Sequence, residues 1–353
     1  MERERDASLL DVQQLNEAQG QAADGREEEA PTVKLLHIDE SSAWRGGQQQ
    51  LALLVAGLAE MGLEQRIACV PGSPLSEALS DWEQIALRPG KHPANLLTLA
   101  GQEGWVCAHT SGAASLSAAI GQRPIVHRRV DFPIRAGALK TQRARGFVAV
   151  SQAVSRVLQA GGVSRERIAV VYDGVERPAE AAPADVGPGT IILAVGALVD
   201  HKDHRTLAAS AKLLPQCRFL VAGEGDLRSE LEALGGLELL GQRLDVPALL
   251  ARAQVFVHCS KEEGLGQSVL EAMRAGVPVV ATRAGGVPES VGERGILVDI
   301  QNPPALAEGI TRVLAGEGPD PALAQTYADQ HFSVSAMVSG TLRAYEGFVS
   351  GLA

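Results

Sequence analysis

From residue 32 onward the chain alternates short, nearly continuous apolar runs with stretches whose apolar residues recur every three or four positions. The runs TVKLLHID, RIACV, WVCAHT, PIVHRRV, FVAVS and RIAVVYDGV have the length and β-branched content of buried strands. Between them, GQQQLALLVAGLAEMG and AVSRVLQAGG have helical spacing. Strands this apolar on both faces must be covered by helices on both faces, which predicts a doubly wound parallel sheet. The stretch ERPAEAAPADVGPG, Glu176 to Gly189, holds no period and predicts a linker. Alternation then restarts with the strand-like runs TIILAVGAL, CRFLVAGEG, LELLG, VFVHCS, PVVAT and GILVDI, and with helical stretches such as HRTLAASAKLLP and DVPALLARA. The expected architecture is α/β, with an N-terminal Rossmann-like domain over 32–176, a linker over 177–189 and a C-terminal one over 190–335. Residues 336–353 are expected to form a C-terminal helix. Ligands of such domains sit beyond the carboxyl ends of the strands.

Composition narrows the classes. With 353 residues and 45% hydrophobic content the chain can bury large cores, and its length suits two domains. No run of about 18 apolar residues occurs, so no membrane-spanning helix is expected. The opening MERERDASLL is too charged for a secretory signal, which predicts a cytoplasmic chain. Cys69, Cys107, Cys217 and Cys259 stand singly within apolar runs, as reduced core residues do, and predict neither a disulfide network nor a metal site. The net charge of −10 is uneven: residues 1–30 hold nine acids and three arginines, so 1–31 reads as a disordered acidic tail and the body is only mildly acidic. Within that body residues 128–145, RRVDFPIRAGALKTQRAR, carry six Lys/Arg against one Asp. Such a patch suits a solvated helix face, or peripheral contact with anionic lipid at the inner face of a membrane, or a phosphorylated acceptor. Aromatic residues are only 3% of the chain, too few for the stacking that single-stranded nucleic acid needs.

A dinucleotide fingerprint is missing. The first strand is followed by DESSAWRGGQQQ rather than G-x-G-x-x-G, the second ends in VPGSP with no acid for a ribose, and neither a Walker A lysine nor a D-x-D occurs. A different site is suggested by KEEGLGQSVLEAM, residues 261–273. VFVHCS predicts a strand, KEEGLG its exit loop, and QSVLEAMRAG a helix whose first N–H groups and dipole attract a phosphate. Gly264 and Gly266 let the backbone approach a ligand, and Glu271, one turn in, faces the same side as the loop. Glu263 can accept hydrogen bonds from sugar hydroxyls and Glu271 from a ribose. Two carboxylates so placed suit two polyols joined by a diphosphate, a nucleotide sugar; Glu262 reads as a helix cap.

The frame EGLGQSVLEAM followed by GVPVVATRAGGVPE, with Glu263, Glu271 and Glu289 in register, resembles the Glu-x7-Glu motif of the retaining GT-B glycosyltransferases of family 4, the group 1 glycosyltransferases. The resemblance continues in AVGALVDHKDHRTLAASAKLLP, LVAGEGDLRSELE, FVAVSQAVSRVL and HFSVSAMVSGTLRAYEGFV, and so runs from about residue 34 to the C-terminus. It implies two Rossmann-like domains facing a cleft, with C-terminal helices crossing back to the N-terminal domain. By the same resemblance Lys202 meets the donor diphosphate, Glu263 holds the donor sugar, and the backbone of Gly264, Leu265, Gly266 and Gln267 binds its polar atoms and phosphate. Glu271 takes the ribose, and Gly196, Gly223, Gly225, Gln242 and Arg243 lie around the nucleotide. Gly46 and Gly47 match the glycine loop near the diphosphate and acceptor. No metal and no cofactor are expected, the nucleotide sugar being a co-substrate.

Two departures stand out. The family places Arg directly after VG, where this chain has Ala197, and losing a charged donor from a phosphate site costs about 1.5–3 kcal/mol. His201, Arg205 and Arg243 are the candidate replacements. Many relatives place His where this chain has Val130, so Arg129, Asp131 or His109 is expected to act there, with His127 structural. His109, Asp131, Lys202 and Glu263 are therefore the candidate catalytic residues. The implied function is retaining transfer of a sugar to a glycan, lipid-linked or small-molecule acceptor, in cell-surface polysaccharide or lipopolysaccharide biosynthesis. The alternatives are a nucleotide-sugar epimerase of the same architecture and an inactive nucleotide-sugar-binding protein.

Overall fold

The computed structural model describes residues 34–134, 139–177 and 181–350, so the acidic tail expected over 1–31 lies outside the described residues. Two compact units emerge, one running to Gly174 and resuming at Val334, the other spanning Val175–Ser333.

In the first unit the chain runs β1 (Lys34–Ile38), α1 (Gly46–Glu60), β2 (Glu64–Cys69), α2 (Pro74–Ala78), β3 (Glu83–Ala86), α3 (Ala94–Leu99) and β4 (Trp105–Ala108). It continues through α4 (Ser111–Ala119), β5 (Ile125–Arg128), α5 (Leu139–Arg143), β6 (Gly146–Ala149), α6 (Gln152–Ala160) and β7 (Ile168–Val170). All pairings are parallel, in the order β3-β2-β1-β4-β5-β6-β7. The second unit holds β8 (Thr190–Val195), α7 (His204–Ala211), β9 (Cys217–Ala222), α8 (Arg228–Leu234), β10 (Glu238–Gly241), α9 (Val246–Arg252) and β11 (Val255–His258). It is completed by α10 (Gln267–Arg274), β12 (Val279–Thr282), α11 (Val287–Val291), β13 (Ile296–Val298), α12 (Pro303–Leu314) and α13 (Pro321–His331). Its sheet is also parallel, ordered β10-β9-β8-β11-β12-β13. The last helix, α14 (Val334–Ser350), returns to the first unit.

Local chemistry sets these boundaries. Thr110, Ser151, Asn302 and Asp320 each accept a backbone N–H at the head of α4, α6, α12 and α13, which satisfies a donor that a helix start leaves open. In α1, Leu51, Leu54, Val55 and Leu58 repeat at helical spacing and face the sheet. The first core joins Leu35, Leu54, Leu58 and Cys107 to Met337, Leu342, Tyr345 and Phe348 of α14. The second is built on Ile192, Val221, Val257 and Val280, closed by Leu207, Leu306 and Ile310. Strand β3, sequence EQIA, is a half-exposed edge strand absent from the runs expected of the sequence. Residues 181–189, expected within a linker, bond to the second unit: Ala184 N–H donates to Ala248 O at 2.9 Å, and Val186 O and Gly187 O accept from Arg218 and Arg252. Among the described residues no helix is long and apolar enough to cross a membrane.

In both sheets the chain starts in the middle and reverses direction, between β1 and β4 and between β8 and β11. Exit loops part at such a reversal, and the crevice left at the carboxyl edge is where doubly wound sheets bind ligands.

Candidate active site

At the second unit's reversal, β8 and β11 deliver Lys202 and Glu263. Lys202 ends a short 3-10 turn, Asp200–Lys202, and is followed by Asp203 in the left-handed region at φ 49. Thr206 Oγ1 donates to Asp203 Oδ2 at 2.8 Å, which secures that unusual backbone. The turn is pinned to the β11 exit by Lys261 N–H on His201 O at 2.8 Å and by the Cys259 thiol on Lys202 O at 3.4 Å. On the far side Gly286 N–H donates to Glu263 O at 3.0 Å, and Ser290 Oγ to Leu265 O at 3.2 Å. The loop from Glu263 to Gly266 is thus held from both flanks, and Gly266 at φ 93 heads α10 with no side chain capping it.

Within this frame Lys202 Nζ lies 2.5 Å from Glu263 Oε2, and His258 Nε2 3.0 Å from the same oxygen. Burial alone would raise the Glu263 carboxyl, but Lys202 and His258 overcome it and hold the group well below the carboxylate range, so it stays ionised. Burial lowers His258, leaving a neutral ring whose Nε2–H donates to Glu263. Glu271 is different. Burial pushes its carboxyl up to about 7, and no side-chain hydrogen bond or ion pair joins it to the described residues.

The glycines divide by cause. A Cβ on Gly223 would lie 1.9 Å from Gly196 O, and one on Gly225 2.5 Å from Leu198 O. The β9 exit is laced to the β8 exit by Gly196 N–H to Ala222 O and Leu198 N–H to Glu224 O, at 3.0 and 2.9 Å, so the fold itself demands these two glycines. Gly196 is not demanded in this way, since its Cβ would approach nothing nearer than Lys202 Cδ at 3.8 Å. Of the cations offered in place of the usual Arg, Arg205 is gripped by Glu230 and Asp200, and Arg243 by Asp245 at 2.5 Å. Both serve carboxylates already, while Ala197 is exposed; Gln242 is exposed beside Arg243. His204, unmarked in the sequence, is buried under Ala197 O at 3.2 Å, with burial lowering it to about 4.

At the first unit's reversal stand histidines. His109 follows β4, with His37 of β1 on one side, Nδ1 2.9 Å from His109 Nε2, and His127 of β5 stacked on the other at 4.4 Å between ring centroids. Gln65 sets the protons. Its Nε2 donates to Val55 O, so its Oε1 must accept from His37 Nε2–H, at 3.1 Å. His37 Nδ1 then accepts from His109 Nε2–H, which leaves His109 Nδ1 an acceptor, and that buried atom has no partner among the described residues. Burial lowers His37 to about 4 and holds His109 and His127 well below the histidine range, so the stack is neutral. His127 Nε2 meets Tyr345 Oη at 2.7 Å.

Around the stack lie Asp39, raised by burial to about 6 despite bonds from Ser41 N–H and Gln48 Nε2, and Arg129, whose Nε donates to Asp173 at 3.0 Å. Asp131 lies in the loop after β5, part-buried. Gly46 and Gly47 are the first residues of α1, and a Cβ on Gly47 would meet nothing within 4 Å. Asp39, His37 and His258 were not marked by sequence; each sits within or just beyond a strand-like run, where polarity at the reversal was the available signal.

These features define a class: a protein of two parallel-sheet α/β domains, as in the GT-B glycosyltransferases, whose second unit matches from residue 189 to 316 the family model described as Glycosyl transferases group 1. Particular relatives sharpen this. The lipopolysaccharide core biosynthesis glycosyltransferase LpsE of Rhizobium meliloti is 31% identical over 40% of this chain and 43% of its own. The 2-deoxystreptamine glucosyltransferase of Streptomyces kanamyceticus is 32% identical over 54% of this chain and 56% of its own. The chain thus spans about half the length of these relatives. The crystal structure of Anabaena Alr3699/HepE with UDP and glucose aligns with a TM-score of 0.78 over 89% of this chain and 100% of that one, at 20% identity, a likeness of fold.

Proposed function

We propose that the chain is a retaining glycosyltransferase, independent of metal, that moves a sugar from a nucleotide-diphosphate donor to a glycan, lipid-linked or small-molecule acceptor. The observation that carries this is the ionised Glu263 held by Lys202 and His258 beside the uncapped head of α10, with Glu271 one turn away and unengaged. Glu263 can accept from the donor sugar's hydroxyls, and Glu271 from a ribose diol. Lys202 lies near enough to exchange part of its hold on Glu263 for a diphosphate oxygen, so leaving-group charge is stabilised by a cation already in place. The head of α10 adds N–H dipoles to that stabilisation. As the carbon–oxygen bond to the diphosphate breaks, the anomeric carbon gains oxocarbenium character. The acceptor hydroxyl attacks on the face the diphosphate leaves, and its proton passes to the departing phosphate oxygen, which retains the anomeric configuration.

The open Nδ1 of His109, and Asp131 in the loop after β5, are assigned to the acceptor. The complex of Anabaena HepE with UDP and glucose favours a uridine donor, and the similarity to LpsE favours a lipopolysaccharide or cell-surface acceptor. We extend this to a peripheral contact of residues 128–145 with anionic lipid, on the cytoplasmic side. A thermal-shift screen against UDP, GDP, ADP and their sugar conjugates, with Glu271→Ala as control, tests the donor site, because a ligand of the folded state raises Tm by mass action. One nucleotide should raise Tm in the parent and not in the variant; no shift with any of them refutes the proposal. Product anomer analysis by NMR tests retention, and turnover in EDTA tests metal independence.

One observation favours a second reading, an inactive nucleotide-sugar-binding protein: of the three candidates to replace the usual Arg at Ala197, both guanidiniums, Arg205 and Arg243, are already held by carboxylates. Ala197→Arg separates the two. A large gain in turnover marks a weakened enzyme, and a parent that binds nucleotide but turns over only as the Arg variant marks a lost activity.

A further inference from the structure

The three histidines at the carboxyl edge of the first sheet follow from one pattern. Alternate residues of a strand share a face, and Leu35 of β1, Cys107 of β4 and Ile125 of β5 all enter the first core. Two positions on, each of these strands sets a histidine on that same face: His37, His109 and His127. The register orders them. Cys107 pairs with Ile125, which brings His109 level with His127, while His37 pairs with Cys107 and so lies two residues nearer the core. Packing alone asks for apolar side chains here, because a buried polar group is costly unless it is hydrogen-bonded.

The hydrogen bonds run in one line. Gln65 of β2 pairs with Leu35 and shares its face with His37; it is 7% exposed, and His37 is fully buried. Its amide is held at both ends, Nε2 donating to Val55 O at 2.9 Å and Oε1 accepting from His37 Nε2 at 3.1 Å. His37 Nδ1 then takes the proton on His109 Nε2 at 2.9 Å. The main chain of His109 is held as well, its N–H donating to Ile38 O at 3.0 Å. There the line stops, at a buried Nδ1 with no partner among the described residues.

Two side chains therefore serve the protons of a third. A histidine that only fills space is free to carry its proton on either nitrogen, and apolar neighbours would suit it. Gln65 and His37 remove that freedom: Nε2 of His109 keeps the proton and Nδ1 keeps the lone pair. A buried acceptor left open weakens the fold that holds it, so the arrangement points to a donor brought by a ligand.

Atom balance limits that donor. In the transfer proposed above, on which this inference rests, the attacking hydroxyl has one hydrogen, and it leaves on the phosphate oxygen. Nδ1 must receive a different O–H. A carboxylate or a phosphate dianion has no proton to give, and burial keeps the ring itself neutral. We propose that His37 and Gln65 are positioning residues that lock His109 so that Nδ1 receives a second hydroxyl of the acceptor, beside the one that attacks, and that the acceptor is accordingly a polyol. A simple alcohol has only its attacking hydroxyl and gains nothing from the lock. A sugar ring has several, and the one held by Nδ1 decides which oxygen is turned toward the anomeric carbon.

Nuclear magnetic resonance of the full chain, with isotopically labelled histidine, tests the lock. Correlating ring protons with both ring nitrogens separates the tautomers, and the His109 signals are those missing from His109→Gln. The parent should show His109 with its proton on Nε2. In Gln65→Leu, His37 can turn its proton toward His109, so a mixed or reversed His109 is expected. His37→Asn places an amide oxygen where Nδ1 stood and should keep the parent tautomer. Methyl α-D-glucopyranoside, methyl α-D-mannopyranoside and glycerol serve as polyol probes, and ethanol as the simple alcohol. At least one polyol should move the His109 Nδ1 signal saturably, binding about tenfold more weakly to Gln65→Leu and little changed in His37→Asn, while ethanol leaves the signal in place. A melting curve for each variant separates loss of the lock from loss of the fold.

The proposal is overturned by a proton on His109 Nδ1 in the parent, in part or in whole. It is overturned equally by an Nδ1 signal that no polyol moves, that ethanol moves as well, or that responds alike in parent and Gln65→Leu. The parent measurements decide even where a variant does not fold. Nucleotide thermal shifts judge the transferase reading separately: their absence refutes that reading and the acceptor role with it, and their presence beside a failed His109 result refutes the lock alone.

Discussion

The two sheets share an order and a reversal, yet their carboxyl edges solve opposite electrostatic problems. At the second, a cation and an ionised carboxylate face one another, Lys202 on Glu263, with the neutral His258 beneath. At the first, three clustered histidines stay neutral by burial, His109 stacked on His127 and tilted against His37, and the charges, Arg129 with Asp173, are paired off to one side. An ionised edge can meet a diphosphate and the hydroxyls around it; a neutral edge with one open lone pair can accept a hydroxyl proton without first losing one. One architecture therefore supplies two chemistries, set by which side chains stand at the point of reversal.

The largest expected effect breaks the charged edge. Glu263→Gln should lower turnover by about 100-fold or more while the fold persists, as loss of a polar group that acts on the transition state does, and steady-state kinetics beside a melting curve checks both halves. Next is a test of the glycines. Gly223→Ala forces a Cβ to 1.9 Å from Gly196 O, so the second unit should lose about 3 kcal/mol or fail to fold, read by urea unfolding. A smaller effect separates charge from packing at Glu271. Its folded carboxyl, at about 7, holds a proton more tightly than the ordinary 4.5, so its contribution to stability is full below about 4.5 and is lost as pH rises to about 7. Glu271→Gln should keep or raise Tm above pH 7 yet weaken nucleotide binding about tenfold or more. Parent affinity should fall as pH drops through about 7, and the variant's should not, by calorimetric titration. The smallest is Gly47→Ala: a Cβ there meets nothing, so stability should rise by about 0.5–1 kcal/mol, and any loss of substrate affinity would belong to the ligand alone.

The sequence shows much of this plan and little of its wiring. Twelve apolar runs, TVKLLHID through GILVDI, correspond to strands, because buried parallel strands are apolar on both faces. EQIA escaped, as a four-residue edge strand with exposed ends carries no such run. Glu263 and Lys202 were legible as separate candidates, yet 61 positions apart in the chain nothing announces that they form an ion pair. His258 hides inside VFVHCS, where one polar residue in an apolar run looks like a core histidine. Gly223 and Gly225 appeared to belong to the nucleotide, and their first obligation is to the backbone of the neighbouring loop. The proton order fixed by Gln65 through His37 needs side-chain geometry, which no spacing encodes.

The return of α14 to the first unit has a consequence in time. Tyr345 and Phe348 complete a core whose other members, Leu35 and Leu54, leave the ribosome roughly three hundred residues earlier, and Tyr345 Oη is the partner that His127 awaits. The second unit, continuous from Val175 to Ser333, can close its core once α12, which carries Leu306 and Ile310, is made. The first unit is thus begun before the second and completed after it, so a nascent chain carries an open sheet and a His127 still without Tyr345 through the entire making of its neighbour.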